Sequence, residues 1–251
     1  MQKKRRGIAV LLLMIMAVSL LSGCAPNPNQ YKIDYDNPSF FQQILVIPMV
    51  KSLDVFNDFL GNYGWSILVL TFIIRLIVFP LTWKQQKSTK RMQEIQPEMM
   101  KIRKKYEKNP QKMQEETMKL FQKHDINPMA GCLPLLIQIP ILFAFFQAIM
   151  GNEHIKESSF LYMQLGSPDP YFILPLIAAL TTYLQFMVTG AQSNPQMKMM
   201  VWIMPVIIFF LAYQFPSALS LYWVYGNIFT IAQSFILQKL DRNKEVKGAT
   251  R

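Results

Sequence analysis

The run WSILVLTFIIRLIVFPLTW, Trp65 to Trp83, contains one charged residue, Arg75. Arginine is a permanent cation with five N–H donors and no acceptor, so the chemistry it offers is electrostatic capture of an anion or a carboxylate. Arg75 lies ten residues from Trp65 and eight from Trp83, which puts its Cα about 12–15 Å from either aromatic anchor along a helix axis. Snorkelling covers part of that distance and no more. An arginine at such depth costs from about 3 to above 10 kcal/mol, large against a marginal folding stability. A neighbouring carboxylate normally offsets the cost, yet none of the five long apolar runs of this chain contains Asp or Glu. Water, uncharged polar groups, lipid phosphate or a carboxylate from another molecule remain. Thr71, Arg75 and Thr82 share one helical face; other runs offer Gln138, then Thr181, Thr182 and Gln185, then Asn227, Thr230, Gln233 and Ser234. Singly, each reads as a bond between helices, at about 0.6–2 kcal/mol. Together with an unpaired arginine they point to a hydrated polar cavity inside a helical bundle, because a dry bundle would strand the guanidinium.

Other chemistries find little material. The two histidines, His124 and His154, fall on opposite sides of the membrane in the topology derived below, and no Cys/His spacing suits a metal. No Gly-x-Ser-x-Gly occurs, and no intramembrane acid–base pair is available. The expectation is no enzyme, with no catalytic residues, metal or cofactor. Arg75 would also suit an anion or small-molecule transporter, although the halves show no mirrored hydropathy.

The elements that must position these groups are long and apolar. Runs 65–83, 133–150, 171–189, 199–215 and 217–238 are each about long enough to cross a bilayer core of roughly 30 Å. The expected fold is an all-α integral membrane protein with five transmembrane helices around a hydrophilic groove. Twelve Lys and Arg lie from Lys84 to Lys123 and five from Lys239 to Arg251, whereas 25–60 and 152–170 carry Lys32, Lys51 and Lys156, outnumbered by acids. The positive-inside rule then sets the N-terminus outside and the C-terminus inside. The net charge of +11 is read as topological or directed at anionic lipid, not as a specific nucleic-acid site.

Residues 1–23 read as a lipoprotein signal peptide: the charged MQKKRR, an apolar stretch, and Leu21-Ser22-Gly23 before Cys24, the expected lipidation site on the outer face. Cys132, on the other side, has no disulfide partner to expect. Residues 24–60 form an outer linker and then FFQQILVIPMVKSLDVFNDFL. That segment is either an interfacial amphipathic helix bent at Pro48 or a helix packed on the bundle. Residues 61–239 make the five-helix core, with a cytoplasmic hairpin at 84–131 between the first two spans; 240–251 is a short basic tail. In the hairpin, Met92, Ile95, Met99, Ile102 and Tyr106 outline one amphipathic helix, which Pro97 bends or breaks. Met113, Thr117, Leu120, Phe121 and His124 outline a second, with Pro110 at its first position. Met100 and Met118 fall off both stripes and are expected to be exposed. Pro134, Pro140, Pro175 and Pro205 should interrupt spans, and Phe215-Pro216-Ser217 joins the last two.

With these residues in place the chain resembles the YidC/Oxa family of membrane protein insertases. The resemblance covers roughly residues 60–240 and is carried by YGWSILVLTFIIRLIVFPLT, the hairpin from Lys84 to Asp125, NPMAGCLPLLIQIPILFAFF, DPYFILPLIAALT and FPSALSLYWVYGNIFTIAQ. It implies a five-helix core holding a positively charged groove, open to the cytoplasm and to lipid and closed outside. The family's groove arginine matches Arg75; its substrate-contacting positions fall on Thr71, Ile139, Leu142 and Tyr222 or Trp223. Gln138, Gln185, Asn227 and Gln233 complete the expected groove. The implied partners are nascent membrane proteins, single-spanning or small with acidic translocated tails, besides the Sec translocon, the ribosome and membrane lipids. The lipobox resembles the Gram-positive form, a multi-pass protein of the bacterial cell membrane, and the absence of a long basic tail speaks against independent ribosome docking.

Overall fold

The computed structural model describes residues 31–124, 126, 133–190 and 198–249. The signal peptide, Cys24 and Cys132 lie outside the described residues. Residues Ile33–Arg251 form one compact unit, almost entirely helical: α1 (Ile47–Leu60), α2 (Tyr63–Glu94), α3 (Gln96–Lys105), α4 (Pro110–Lys123), α5 (Leu133–Gly151), α6 (Glu153–Glu157), α7 (Ile173–Val188), α8 (Lys198–Gln214) and α9 (Ser217–Ala249). Helices cover every apolar run named above. Among the described residues, α2 is the helix long and apolar enough to cross a membrane by length and composition; Ile137–Gly151, Ile173–Val188 and Lys198–Gln214 are shorter apolar helices.

The long helix α9 is the hub. It packs against α2, α5, α7 and α8, while α7 and α8 pair along their length. The outer surface is the reverse of a soluble bundle's. Large apolar side chains face outward, among them Phe72, Leu76 and Ile77 on α2, Leu176 and Leu180 on α7, Trp202, Val206 and Phe210 on α8, and Phe235 and Ile236 on α9. Buried inside are Ser66, Thr71, Thr181, Thr182, Ser220, Asn227, Gln233 and Ser234. Water would penalise that arrangement, since each outward aliphatic or aromatic side chain forfeits roughly 1.5–3 kcal/mol of burial; hydrocarbon does not.

At one end of the bundle, α1 packs on its neighbours, the second of the two readings its sequence allowed. Met49, Val50 and Leu53 are buried against α2 and α5, while Val55 and Phe59 stay exposed, the latter at 84%. The Asp54 carboxylate accepts the Tyr63 hydroxyl at 2.8 Å and the Asn152 amide at 3.3 Å, tying three elements together. Pro48 enters in the first turn of α1, preceded by a π-helical stretch Gln42–Val46 in which the Ile47 N–H reaches back five residues to Gln42 O.

The segment after α6 folds over the same end. A short antiparallel hairpin pairs β1 (Ser159–Phe160) with β2 (Met163–Gln164), burying Phe160, Met163 and Leu165. Carbonyls just after it satisfy two of the N-terminal donors of α9: Ser217 N donates to Ser167 O at 2.7 Å, and Ala218 N to Leu165 O at 3.0 Å. Buried Asp169 accepts from Leu174 N at 2.6 Å, Tyr171 N at 3.0 Å and the Tyr162 hydroxyl at 3.1 Å, capping α7. Desolvation first, and the bond to Asp169 second, push the Tyr162 phenol up to about 12.

At the opposite end α2 does not stop at Trp83; it continues as one helix to Glu94. The break expected from Pro97 falls at Ile95, and Pro97 opens α3, where its missing N–H costs nothing. Pro110 begins α4, with Asn109 Oδ1 accepting from Lys112 N at 3.1 Å as the cap. α3 and α4 close over Ile95, Met99, Leu120, Phe121 and Ile126, with Met92 and Ile102 alongside. Met100 and Met118 are exposed. His124 Nε2 lies 3.6 Å from Glu98 Oε1 across the pair. Pro140 and Pro205 lie within α5 and α8, as does Pro80 within α2; Pro134 and Pro175 instead sit in first turns and interrupt nothing, because the N–H they lack would have been free anyway.

Candidate functional site

Arg75 stands on the face of α2 that meets α9. Its side chain is partly buried, and it makes no hydrogen bond or ion pair with any described residue. What it touches is a glycine. A Cβ placed on Gly226 would fall 3.1 Å from Cζ and 3.2 Å from Nε of Arg75, and closer still to Nη2. The edge of the guanidinium therefore sits against α9 where that helix has no side chain.

One turn earlier on α9, Tyr222 is held from two sides by α5. Gln138 Nε2 donates to its hydroxyl at 2.5 Å, and the Phe145 ring stacks on it with centroids 4.7 Å apart and planes at 23°. Gln138 and Phe145 are seven residues apart, two turns along one face. One turn later, Thr230 donates its hydroxyl to Gly226 O at 2.9 Å. Arg75, Gln138 and Tyr222, named separately from the sequence, thus meet on α9 around Gly226.

The remaining expected residues divide. Ile139 and Leu142, a turn apart beside Gln138, are exposed and partly exposed, and Trp223 next to Tyr222 is partly buried. Thr71 is fully buried, with its hydroxyl spent on Ile67 O at 2.6 Å in its own helix. Asn227 faces α7: its amide donates to Thr181 Oγ1 at 3.1 Å and Thr182 Oγ1 at 2.9 Å, and both threonines donate to Ala178 O. Gln233 donates to Thr82 Oγ1 at 2.6 Å, joining α9 to α2. Gln185 is partly buried with no side-chain bond to a described residue. Three ties went unforeseen: Gln86 Nε2 to Ser234 Oγ at 2.7 Å, Gln93 Nε2 to Gly190 O at 3.0 Å and Gln238 Nε2 to Val188 O at 2.9 Å. All three glutamines flank the apolar runs, where polar residues look solvated. Gly226 was also unremarked; a lone glycine in SLYWVYGNIFT, where it weakens a helix by about 1 kcal/mol relative to alanine, was its signal.

Apolar side chains turned outward, polar groups buried between helices and an arginine with no described carboxylate beside it mark a helical membrane protein. Residues 55–245 match the family described as "60Kd inner membrane protein", and the chain belongs to that family, YidC/Oxa. It is 47% identical over 248 residues to a protein of Bacillus subtilis (strain 168) named membrane protein insertase MisCA, covering 96% of this chain and 94% of that one. It is 45% identical over 244 residues to membrane protein insertase YidC 2 of Bacillus anthracis, 94% of each chain being covered. Among solved structures it resembles an active YidC insertase crystallised with its first transmembrane domain resolved, with TM-score 0.64 and 30% identity over 77% of this chain. This chain spans 46% of that one.

Proposed function

We propose that the chain is a membrane protein insertase, not an enzyme, of the bacterial cell membrane. It receives nascent membrane proteins from the cytoplasm in a positively charged groove and releases their transmembrane segments sideways into lipid. The observation that carries this reading is Arg75 lying on α9 beside the Gln138–Tyr222 pair with no described carboxylate to neutralise it. The names borne by relatives of near-equal length support it.

In this reading α2, α5, α7, α8 and α9 are five spans, N-terminus outside and C-terminus inside, with Cys24 lipidated outside and α3–α4 a cytoplasmic hairpin. The β-hairpin and α1 close the outer end. Arg75, Gln138, Ile139, Leu142, Tyr222, Trp223 and Gln185 form the substrate-contacting surface, while Thr71, Asn227 and Gln233 hold its walls together. Moving a polar segment through hydrocarbon costs several kcal/mol for each unpaired group. A groove open to the cytoplasm shortens the apolar path and supplies a cation whose attraction is strong at low dielectric. An acidic translocated tail is drawn to Arg75, its apolar helix partitions into lipid, and the membrane potential and hydrophobic transfer drive the step. The Sec translocon and the ribosome are the expected partners on either side of this transfer.

The test is insertion in cells depleted of other insertases. Arg75→Lys should support substrates with acidic translocated tails, and Arg75→Ala should fail them. Normal insertion of such substrates by Arg75→Ala would sink the electrostatic groove.

A further inference from the structure

We propose that Gly226 is a positioning residue for Arg75: the missing side chain forms a notch that seats the edge of the guanidinium against α9 and so sets the depth of the groove's charge. The inference rests on the insertase reading above. Three atoms of the guanidinium and its stem, Nη2, Cζ and Nε, crowd the place where a Cβ would stand. The group therefore meets the helix with its Nε–Nη2 edge. The carbonyl beneath is already taken by the Thr230 hydroxyl, and the guanidinium donors bond to no described residue. Those on the Nη1 side, turned away from Gly226, remain available to an incoming carboxylate. The notch has walls: Tyr222, one turn before Gly226, is fixed by Gln138 and Phe145, and Thr230 stands one turn after it.

The clash that a methyl group at 226 would create is with the end of a flexible side chain, not with backbone. Alanine there should move the arginine and leave the helix in place. Displacing a cation from about 4 to about 6 Å from a carboxylate, at an effective dielectric near 20, weakens their attraction by about tenfold as an equilibrium constant.

The experiment uses the full-length protein in proteoliposomes and two single-span substrates, identical except that Asp and Glu in the translocated tail of one become Asn and Gln in the other. Gly226→Ala should slow the acidic substrate by about tenfold and change the neutral one by less than about twofold; adding Arg75→Lys, whose narrower ammonium fits beside a methyl, should restore the acidic substrate. The unfolding midpoint supplies a readout independent of insertion. Gly226→Ala should lower it in the presence of Arg75 and raise it in an Arg75→Ala background, where only alanine's better helix propensity is felt. Equal loss of both substrates without rescue by Arg75→Lys, or a midpoint shift indifferent to residue 75, would make Gly226 an ordinary packing glycine and overturn the proposal. If Gly226→Ala fails to accumulate, accumulation of Gly226→Ala/Arg75→Lys supports the clash and its failure refutes it. Wild-type insertion of the acidic substrate by Arg75→Ala would instead remove the insertase electrostatics and leave the midpoint test of the notch standing.

Discussion

Inside the bundle, single polar side chains divide by what they already hold. Asn227 holds two threonine hydroxyls of α7 and is buried, so Asn227→Leu should act on stability before it acts on substrate. A loss of about 1–2 kcal/mol is expected in reversible unfolding from mild detergent, with the preference for acidic over neutral tails unchanged. Gln138 differs: it orients Tyr222 beside the guanidinium, so Gln138→Leu should alter substrate crosslinking at position 222 with a smaller stability change. In the sequence these two amides were indistinguishable. Each is an uncharged amide within an apolar run, and only the neighbour across the interface decides whether an amide is spent or free.

Among the elements, the α3–α4 pair was legible almost residue by residue, because an amphipathic hairpin encodes its own seam. The stripes of Met, Ile, Leu and Phe became its core, and Asn109-Pro110 became the cap and first turn of α4. Asn109→Ala should therefore destabilise α4 by about 1 kcal/mol, read as faster hydrogen exchange over its first turn. The β-hairpin cap was not legible. Two-residue strands carry no periodicity, and the donors satisfied by the Leu165 and Ser167 carbonyls just after them belong to α9, far along the chain. This cap has a pH signature. The Tyr162 phenol has its folded value raised from 10.0 to about 12, so its contribution is complete below pH 10 and is lost as pH rises through about 12. Between those values, alkaline destabilisation should be weaker in Tyr162→Phe, and the late-titrating phenolate absorbance should lose one tyrosine.

For the whole molecule, an apolar exterior makes a prediction that needs no substrate. Trp202 on α8 points outward, 64% exposed. As the sole tryptophan, with the other three replaced by Phe, it should be quenched by lipids brominated along the acyl chain and spared by aqueous acrylamide. Proteoliposomes should show no saturable flux of small anions, which a transporter built on Arg75 would produce. Hydrophobic length, charge bias and ordered motifs are properties of contiguous segments, so the helical class, the apolar runs, the lone cation without an acid and the family are all readable along the chain. That Arg75 lies on Gly226, that Asn227 and Gln233 are ties between helices, and that a distant loop caps α9 emerge on folding alone. Each depends on which residues, up to about 150 positions apart, share one contact, and no local pattern records that distance.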